Sequence, residues 1–275
     1  MLLEYPFPWG SHALEESNLS ANVKAHLKRV VKQVQHGRLL FIKKERSRLK
    51  PVRFFIVRCN ESEPYVVKLE LEDYQQLLDI DLASVTRKNL PAGASISHEP
   101  LFLICTHGRR DKCCAKFGYP LFKSLSEGAG QMVWQSSHVG GDRFAANLLC
   151  FPHGLFYAHL TTEAGKAILK DYRERRLALQ NYRGRACYSY PVQAAEFFIR
   201  SESGISGIDD LRYLAHARLG EESWQVRFLQ RNGGLVHEAK VSRFMSDFQN
   251  YVTCHAAHER PVPQFRLDDY GIVQR

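Results

Sequence analysis

Three of the seven cysteines, Cys105, Cys113 and Cys114, fall within ten residues of "CTHGRRDKCCAKFG", with a histidine and two arginines between them. Thiols gathered in this way serve a disulfide, a redox-active thiol, a metal site or a packed core. Twenty-four positions after Cys114, "SSHVGGDRFAANLL" sets His138 four residues before Asp142, across a Gly140–Gly141 turn. Glycines there let the chain bend tightly and bring its backbone near a bound group. Two thiolates with two nitrogen or oxygen donors fit zinc or an iron–sulfur cluster. Neither pair has a zinc-finger interval, so spacing alone does not choose the metal. For Cys105 taken alone, a small buried hydrophobe on a strand is the default reading.

Those four residues need elements that end at one place. "LFLICTH" reads as a buried strand closed by Cys105, Asp111–Glu127 as a helix opened near Cys114 with Pro120 as a kink, and "QMVWQSS" as a strand ending just before His138. The loop "HVGGDRF", a hairpin "ANLLCFPHGLFYAHL" turning at Pro152–Gly154, and a helix "TEAGKAILKDYRERRLAL" capped by Thr161 or Thr162 complete the unit. Strand, helix, strand, hairpin and helix make a small thioredoxin-like α/β unit, placed at residues 100–180.

Before it, residues 1–99 read as an α+β segment. "ESNLSANVKAHLKRVVKQVQHG" spaces Val23, Leu27, Val30, Val31 and Val34 as a helix, and "RLLFIKKE", "PVRFFIVRC" and "PYVVKLELE" read as strands. The Gly/Pro/Ser-rich stretch Asn89–Pro100 is the expected joint. Residues 181–275 read as a second α+β segment packing on the core. Its elements are helices at "PVQAAEFFIR" and "GIDDLRYLAHARLG", then a hairpin turning at Asn232–Gly233–Gly234. No repeat at a fixed period is visible.

The stretch "CTHGRRDKCC…VWQSSHVGGDRFAANLLCFPHGLFY" resembles the sucrase/ferredoxin-like family, whose fungal members include the actin-patch-distribution proteins. The resemblance is specific over Leu101–Leu160 and thins towards both ends. It implies a thioredoxin-like ferredoxin domain with a [2Fe–2S] cluster held by two cysteines and two histidines. Carried over, Cys105 and Cys114 match the thiol pair and His138 the first histidine. The second histidine position is Asp142, a harder, anionic donor. The ligand set is then Cys105, Cys114, His138 and Asp142, with Cys113 as the alternate thiol. Cys113 and Cys114 face different sides of the helix start, so they do not both bind one metal. His107, Arg109, Arg110 and Arg143 are candidates to bond the cluster sulfides, to anchor a carboxylate, to meet an acidic partner or to form structural salt bridges.

Composition bounds the function. The chain carries a formal net charge of +9, unevenly spread: Lys24–Lys50 holds ten Lys or Arg against one Glu, and Lys166–Arg185 seven against two acids. Such surfaces suit an acidic partner, yet no helix-turn-helix, zinc finger or base-stacking motif accompanies them, so nucleic acid is not expected. Any single cluster reads first as a solvated face. No run approaches the roughly 18 apolar residues of a membrane span. The N-terminus lacks secretory-signal character, and seven scattered cysteines make a poor disulfide framework, so a reducing, cytoplasmic setting without a disulfide staple is expected. Cys59, Cys150 and Cys187 read as core or incidental, and "CHAAH" (Cys254–His258) as a surface turn. Two functions remain. One is an electron-transfer or redox-sensing protein carrying the cluster, with an acidic redox protein as electron donor or acceptor. The other is a thiol oxidoreductase acting on a disulfide or peroxide through Cys105 or Cys114 without a cluster. No pair of carboxylates suited to glycoside hydrolysis is evident.

Overall fold

Ser20 accepts a hydrogen bond from the Val23 amide and opens α1 (Ala21–Gln33), whose Val23, Leu27 and Val30 are buried at the expected spacing. The computed structural model describes residues 1–274 other than Arg48, 82–84, 86–89, Ala92 and His98; the side chain of Asp142 also lies outside the described residues. The three expected strands form as β2 (Leu40–Lys43), β3 (Val52–Arg58) and β4 (Tyr65–Leu71). A strand that the sequence did not announce, β1 (Leu2–Glu4), runs between β2 and β3. Three residues are too few to show a period. Burial decides the matter: Leu2 and Leu3 are both enclosed, and each such side chain is worth about 1.5–3 kcal/mol, more than the ~1 kcal/mol range of strand propensity.

Next in the chain come β5 (Ser95–Ser97), inside the expected joint, and β6 (Leu101–Cys105). Of that joint, Asn89, Ala92 and His98 lie outside the described residues. Then follow α2 (Lys112–Ala129), β7 (Val133–Ser136), β8 (Leu148–Phe151), β9 (Leu155–Tyr157), α3 (Thr162–Arg173) and β10 (Tyr182–Arg185). Thr161 caps α3, accepting from the Ala164 amide.

All ten strands join one curled sheet in the order β10-β9-β8-β6-β7-β2-β1-β3-β4-β5. That order is a palindrome of two equal paths. β1–α1–β2–β3–β4–β5 and β6–α2–β7–β8–β9–β10 each start with a parallel pair joined by a helix. Each continues with a strand antiparallel to the first and two more antiparallel additions. The halves meet edge to edge where β2 pairs antiparallel with β7, Ile42 opposite Ser136. A repeat therefore exists in the path of the chain, although no repeat shows in its sequence. Segments 1–99 and 100–180 thus share one sheet.

Alternate residues of the strands divide the core. Leu3, Phe41 and Phe54 pack under α1, and Phe102, Ile104 and Val133 under α2 and α3. The opposite face gathers Leu2, Ile42 and Phe55 from the first half with Leu103, Cys105 and Trp134 from the second.

The remaining chain forms α4 (Tyr190–Ser203) and a separate four-stranded antiparallel sheet of β11 (Leu211–Gly220), β12 (Ser223–Gln230), β13 (Val236–Asn250) and β14 (Arg260–Val273). The hairpin turns at Gly233 and Gly234, both with positive φ, as expected. The second expected tail helix is corrected: "LRYLAHARLG" is strand β11. Helix propensities differ by at most ~0.7 kcal/mol per ordinary residue, and pairing along β12 outweighs them. Tyr213 also stacks near Tyr188 and Phe228, placing one face of β11 on the α4 core.

Candidate metal centre

β6 is buried along its whole length and ends at Cys105, 1% exposed. After a short turn, Asp111 caps α2 by accepting from the Cys113 amide at 2.9 Å. Cys114 then sits in the first turn of an 18-residue helix, and a helix N-terminus favours a thiolate. Gly118, one turn further on, lets α2 lie directly on the strand end: a Cβ there would land on the Cys105 carbonyl. β7, parallel to β6, delivers His138 just beyond its end.

The ligand atoms of Cys105, Cys114 and His138 all lie within 4.8 Å of one another, and the Cys114 Sγ is 3.8 Å from the His138 Nδ1. The Cys105 thiol is held well below its ordinary range. Its hydrogen bond with the Cys114 side chain contributes most, against the opposing pull of burial; the His138 side chain and the His107 and Val139 amides add to it. The other thiols behave differently: burial pushes Cys59 up to about 12 and Cys187 up to about 11, and raises Cys150 well above its ordinary value.

Around the three donors the loops are braced. His107, 3% exposed, accepts from the His138 amide at Nδ1 (3.1 Å), which puts its proton on Nε2, where it meets the Gly10 carbonyl at 2.7 Å. Burial lowers its pKa and keeps it neutral. His107 is therefore a strut between three loops, not a partner contact. Gly140 and Gly141 adopt φ of 88° and 73°, conformations that side-chain-bearing residues rarely take, and Asn147 Nδ2 holds the turn by donating to the Gly141 carbonyl at 3.0 Å.

The other expected residues separate. The Asp142 side chain is outside the described residues. Arg109 and Arg110 are exposed on the turn before α2, and Arg143 packs over the Phe144 ring at 4.4 Å. Arg183, not anticipated, covers the same ring at 3.7 Å; burial, then Arg143, brings its pKa down to about 10. Cys113 does turn away from Cys114, but not into solvent. It is disulfide-bonded to Cys254, against the expectation of no staple in this stretch. "CHAAH" is indeed an exposed turn between β13 and β14, yet one anchored at its first residue. Asp111 was also missed, although an Asp immediately before a helical run is a readable cap signal. Cys254 had no such signal, because its partner is 141 residues away.

The basic runs are partly spent inside the molecule. Lys44 donates to the Gly130, Gln131 and Val133 carbonyls, and burial lowers its pKa to about 7. Arg185 and Arg200 enclose the buried Glu196. Beside the donors, the exposed cations are Arg109, Arg110, Lys112 and Lys116.

A sequence model of the sucrase/ferredoxin-like family matches residues 1–184, both halves of the large sheet. Among curated proteins nothing matches, and no solved structure does. No helix among the described residues is long and apolar enough to cross a membrane.

Proposed function

The chain belongs to the sucrase/ferredoxin-like family, and from that premise we propose that it is an electron-transfer or redox-sensing protein whose Cys105–Cys114–His138 site holds a [2Fe–2S] centre. One observation carries the reading: two sulfur donors and an imidazole converge within 4.8 Å at the ends of two parallel strands. That donor set suits iron and other metals that accept thiolate and imidazole. It supplies three donors where a [2Fe–2S] centre takes four, and Asp142, next after the Gly140–Gly141 turn, is the proposed fourth. The order β9-β8-β6-β7, with α2 and α3 packed together against it, supports the thioredoxin-like reading of this unit.

A bound centre of this kind supplies one-electron chemistry. The chain does the rest. Cys105 and Cys114, each 1% exposed, exclude water from the thiolate side. His138 is only half-buried and gives the site its edge towards solvent. Arg109 and Arg110, exposed on the turn between Cys105 and α2, suit an acidic redox protein as donor or acceptor. A cytoplasmic, reducing setting suits the site thiols.

The hydrogen-bonded Cys105–Cys114 pair itself favours a second reading, a thiol oxidoreductase without a cluster. Iron and sulfide analysis with absorption and EPR spectra of anaerobically purified protein separates the two. Stoichiometric iron and a reduced-state EPR signal are expected, and a colourless, iron-free protein that turns over disulfides would replace the first reading with the second. Asp142→His should keep the centre and raise its potential, because a neutral imidazole replaces an anion. Asp142→Ala should make it labile. Equal spectra and potentials for Asp, His and Ala would remove Asp142 from the ligand set.

A further inference from the structure

β13 and β14 run 15 and 14 residues, longer than the rest of their sheet. The first half of β13 and the second half of β14 pack on α4 through Ala239, Val241 and Leu267. Beyond them the two strands project as an arm with Phe244, Met245 and Phe248 41–57% exposed. The arm's tip, residues 251–259, returns to the first turn of α2. There the wholly buried Asp111 accepts from the Cys113 amide with one oxygen and from the Cys254 amide with the other, each at 2.9 Å, and Cys113 and Cys254 are joined through sulfur. Cys114, the next residue, is a site thiol. Cys254 is exposed, so small thiols and disulfides reach the bond.

We propose that Cys113 and Cys254 form a reversible redox clasp: their disulfide fastens the β13–β14 arm over the α2 end of the metal site, and its reduction releases the arm. The clasp lies outside the Cys105–Cys114–His138 donor set and holds whether or not that site carries iron.

A low-molecular-weight disulfide such as oxidised glutathione closes it in two exchanges. The Cys254 thiol attacks the glutathione disulfide, forming a mixed disulfide and releasing one glutathione thiol. The Cys113 thiol then attacks the Cys254 sulfur and releases the second. Two protein thiols give up two electrons and two protons, and one glutathione disulfide becomes two thiols. Excess glutathione runs the steps backwards. Asp111, which accepts from both amides in the closed state, aligns the two sulfurs when the released tip docks again, and both cysteines lie on one chain, so reclosure is intramolecular.

The test uses the full chain equilibrated across reduced-to-oxidised glutathione ratios, with thiols trapped by alkylation and peptides identified by mass, and with hydrogen exchange at each ratio. A Cys113–Cys254 linked peptide should form and disappear reversibly, and the amides of 251–259 and 111–114 should exchange on the order of tenfold faster when it is open. Cys254→Ser and Cys113→Ser should both show the open exchange pattern at every ratio, with circular dichroism unchanged. A pair that stays reduced throughout would overturn the clasp, as would a disulfide that leaves exchange in 251–259 unaltered. Stoichiometric zinc bound by the reduced chain and lost in either variant would overturn it too, by making Asp111, Cys113 and Cys254 a metal site.

Discussion

At Cys105 two opposed effects meet, and hydrogen bonding wins over burial. A buried thiol without partners is pushed up, as Cys150 is, whereas Cys105 is drawn down by Cys114, His138 and two amides. Soft, charge-donating ligands cannot be spared at iron. Cys105→Ser or Cys114→Ser should therefore leave less than about a tenth of the wild-type iron, in keeping with the 10–100-fold cost of disturbing even a supporting residue. Cys59→Ser and Cys187→Ser should retain it, since neither thiol belongs to the converging donor group. Iron and sulfide analysis of the four purified variants checks this, and full occupancy in Cys114→Ser would defeat the assignment. Cys113 would not be the obvious substitute, because its sulfur is already committed to Cys254.

Among the elements, the contact of α2 with the end of β6 sets the spacing of the two site thiols. Gly118 is required there by close approach, not by an unusual backbone angle. Gly118→Ala must push the helix off the strand, at about 1–3 kcal/mol by analogy with overpacked cores. Its iron should be lost faster to a chelator than from wild type, and a chelation rate equal to wild type would show that the helix position is slack. The β8–β9 turn supplies a second test. His153, 3% exposed, meets the Tyr172 hydroxyl at 2.5 Å; burial, then Arg175, brings its pKa down to about 4 from an ordinary 6.5. Asp209 opposes the shift, but at 3.9 Å from Nε2 it is beyond hydrogen-bond range. The folded chain keeps the imidazole neutral while the unfolded chain takes up a proton. This contribution is therefore complete above pH 6.5 and is lost as the pH falls towards 4, by about 3 kcal/mol in all. Urea midpoints should drop over that window, and His153→Gln should flatten the drop. An unchanged slope in the variant would assign the acid sensitivity elsewhere.

For the whole molecule, the two matching five-strand paths form a single sheet, but only one of them carries the donors. Where β1 and β2 end, the chain reads Tyr5-Pro6 and Lys44-Glu45, with neither thiol nor imidazole. The first half instead contributes support: the Gly10 carbonyl receives His107, and Arg38 donates to the Val139 carbonyl at 3.0 Å. Of the two basic runs, Lys44 and Arg185 are turned inward while most of the other cations stay exposed, and next to the site thiols in the chain Arg109, Arg110, Lys112 and Lys116 are exposed as well. Reduction by an acidic redox protein should slow as ionic strength rises to about 0.15 M, where the Debye length is roughly 8 Å. Arg109→Glu with Arg110→Glu should slow it on the order of tenfold at low salt. A rate indifferent to both changes would leave these arginines as solubilising surface.

The local pattern of the sequence determined much of this protein. Helical spacing in Val23–Val30, the apolar run Leu101–Cys105, the Thr161 cap and the Gly140–Gly141 and Gly233–Gly234 turns each depend on neighbours a few residues away, and each formed as read. The pairing of Cys105 and Cys114 with His138 was legible for the same reason, since short elements with fixed ends deliver them. Only the tertiary structure decided the rest. β1 exists because two other strands bury it, and β11 is a strand because β12 pairs with it. The palindromic sheet depends on β2 meeting β7, and His107 became a strut because Gly10 lies 97 residues away in the chain and within hydrogen-bond reach in space. Cys113 found Cys254 across 141 residues. Contacts at such separations leave no periodicity to read, because what fixes them is the closing of the whole chain upon itself.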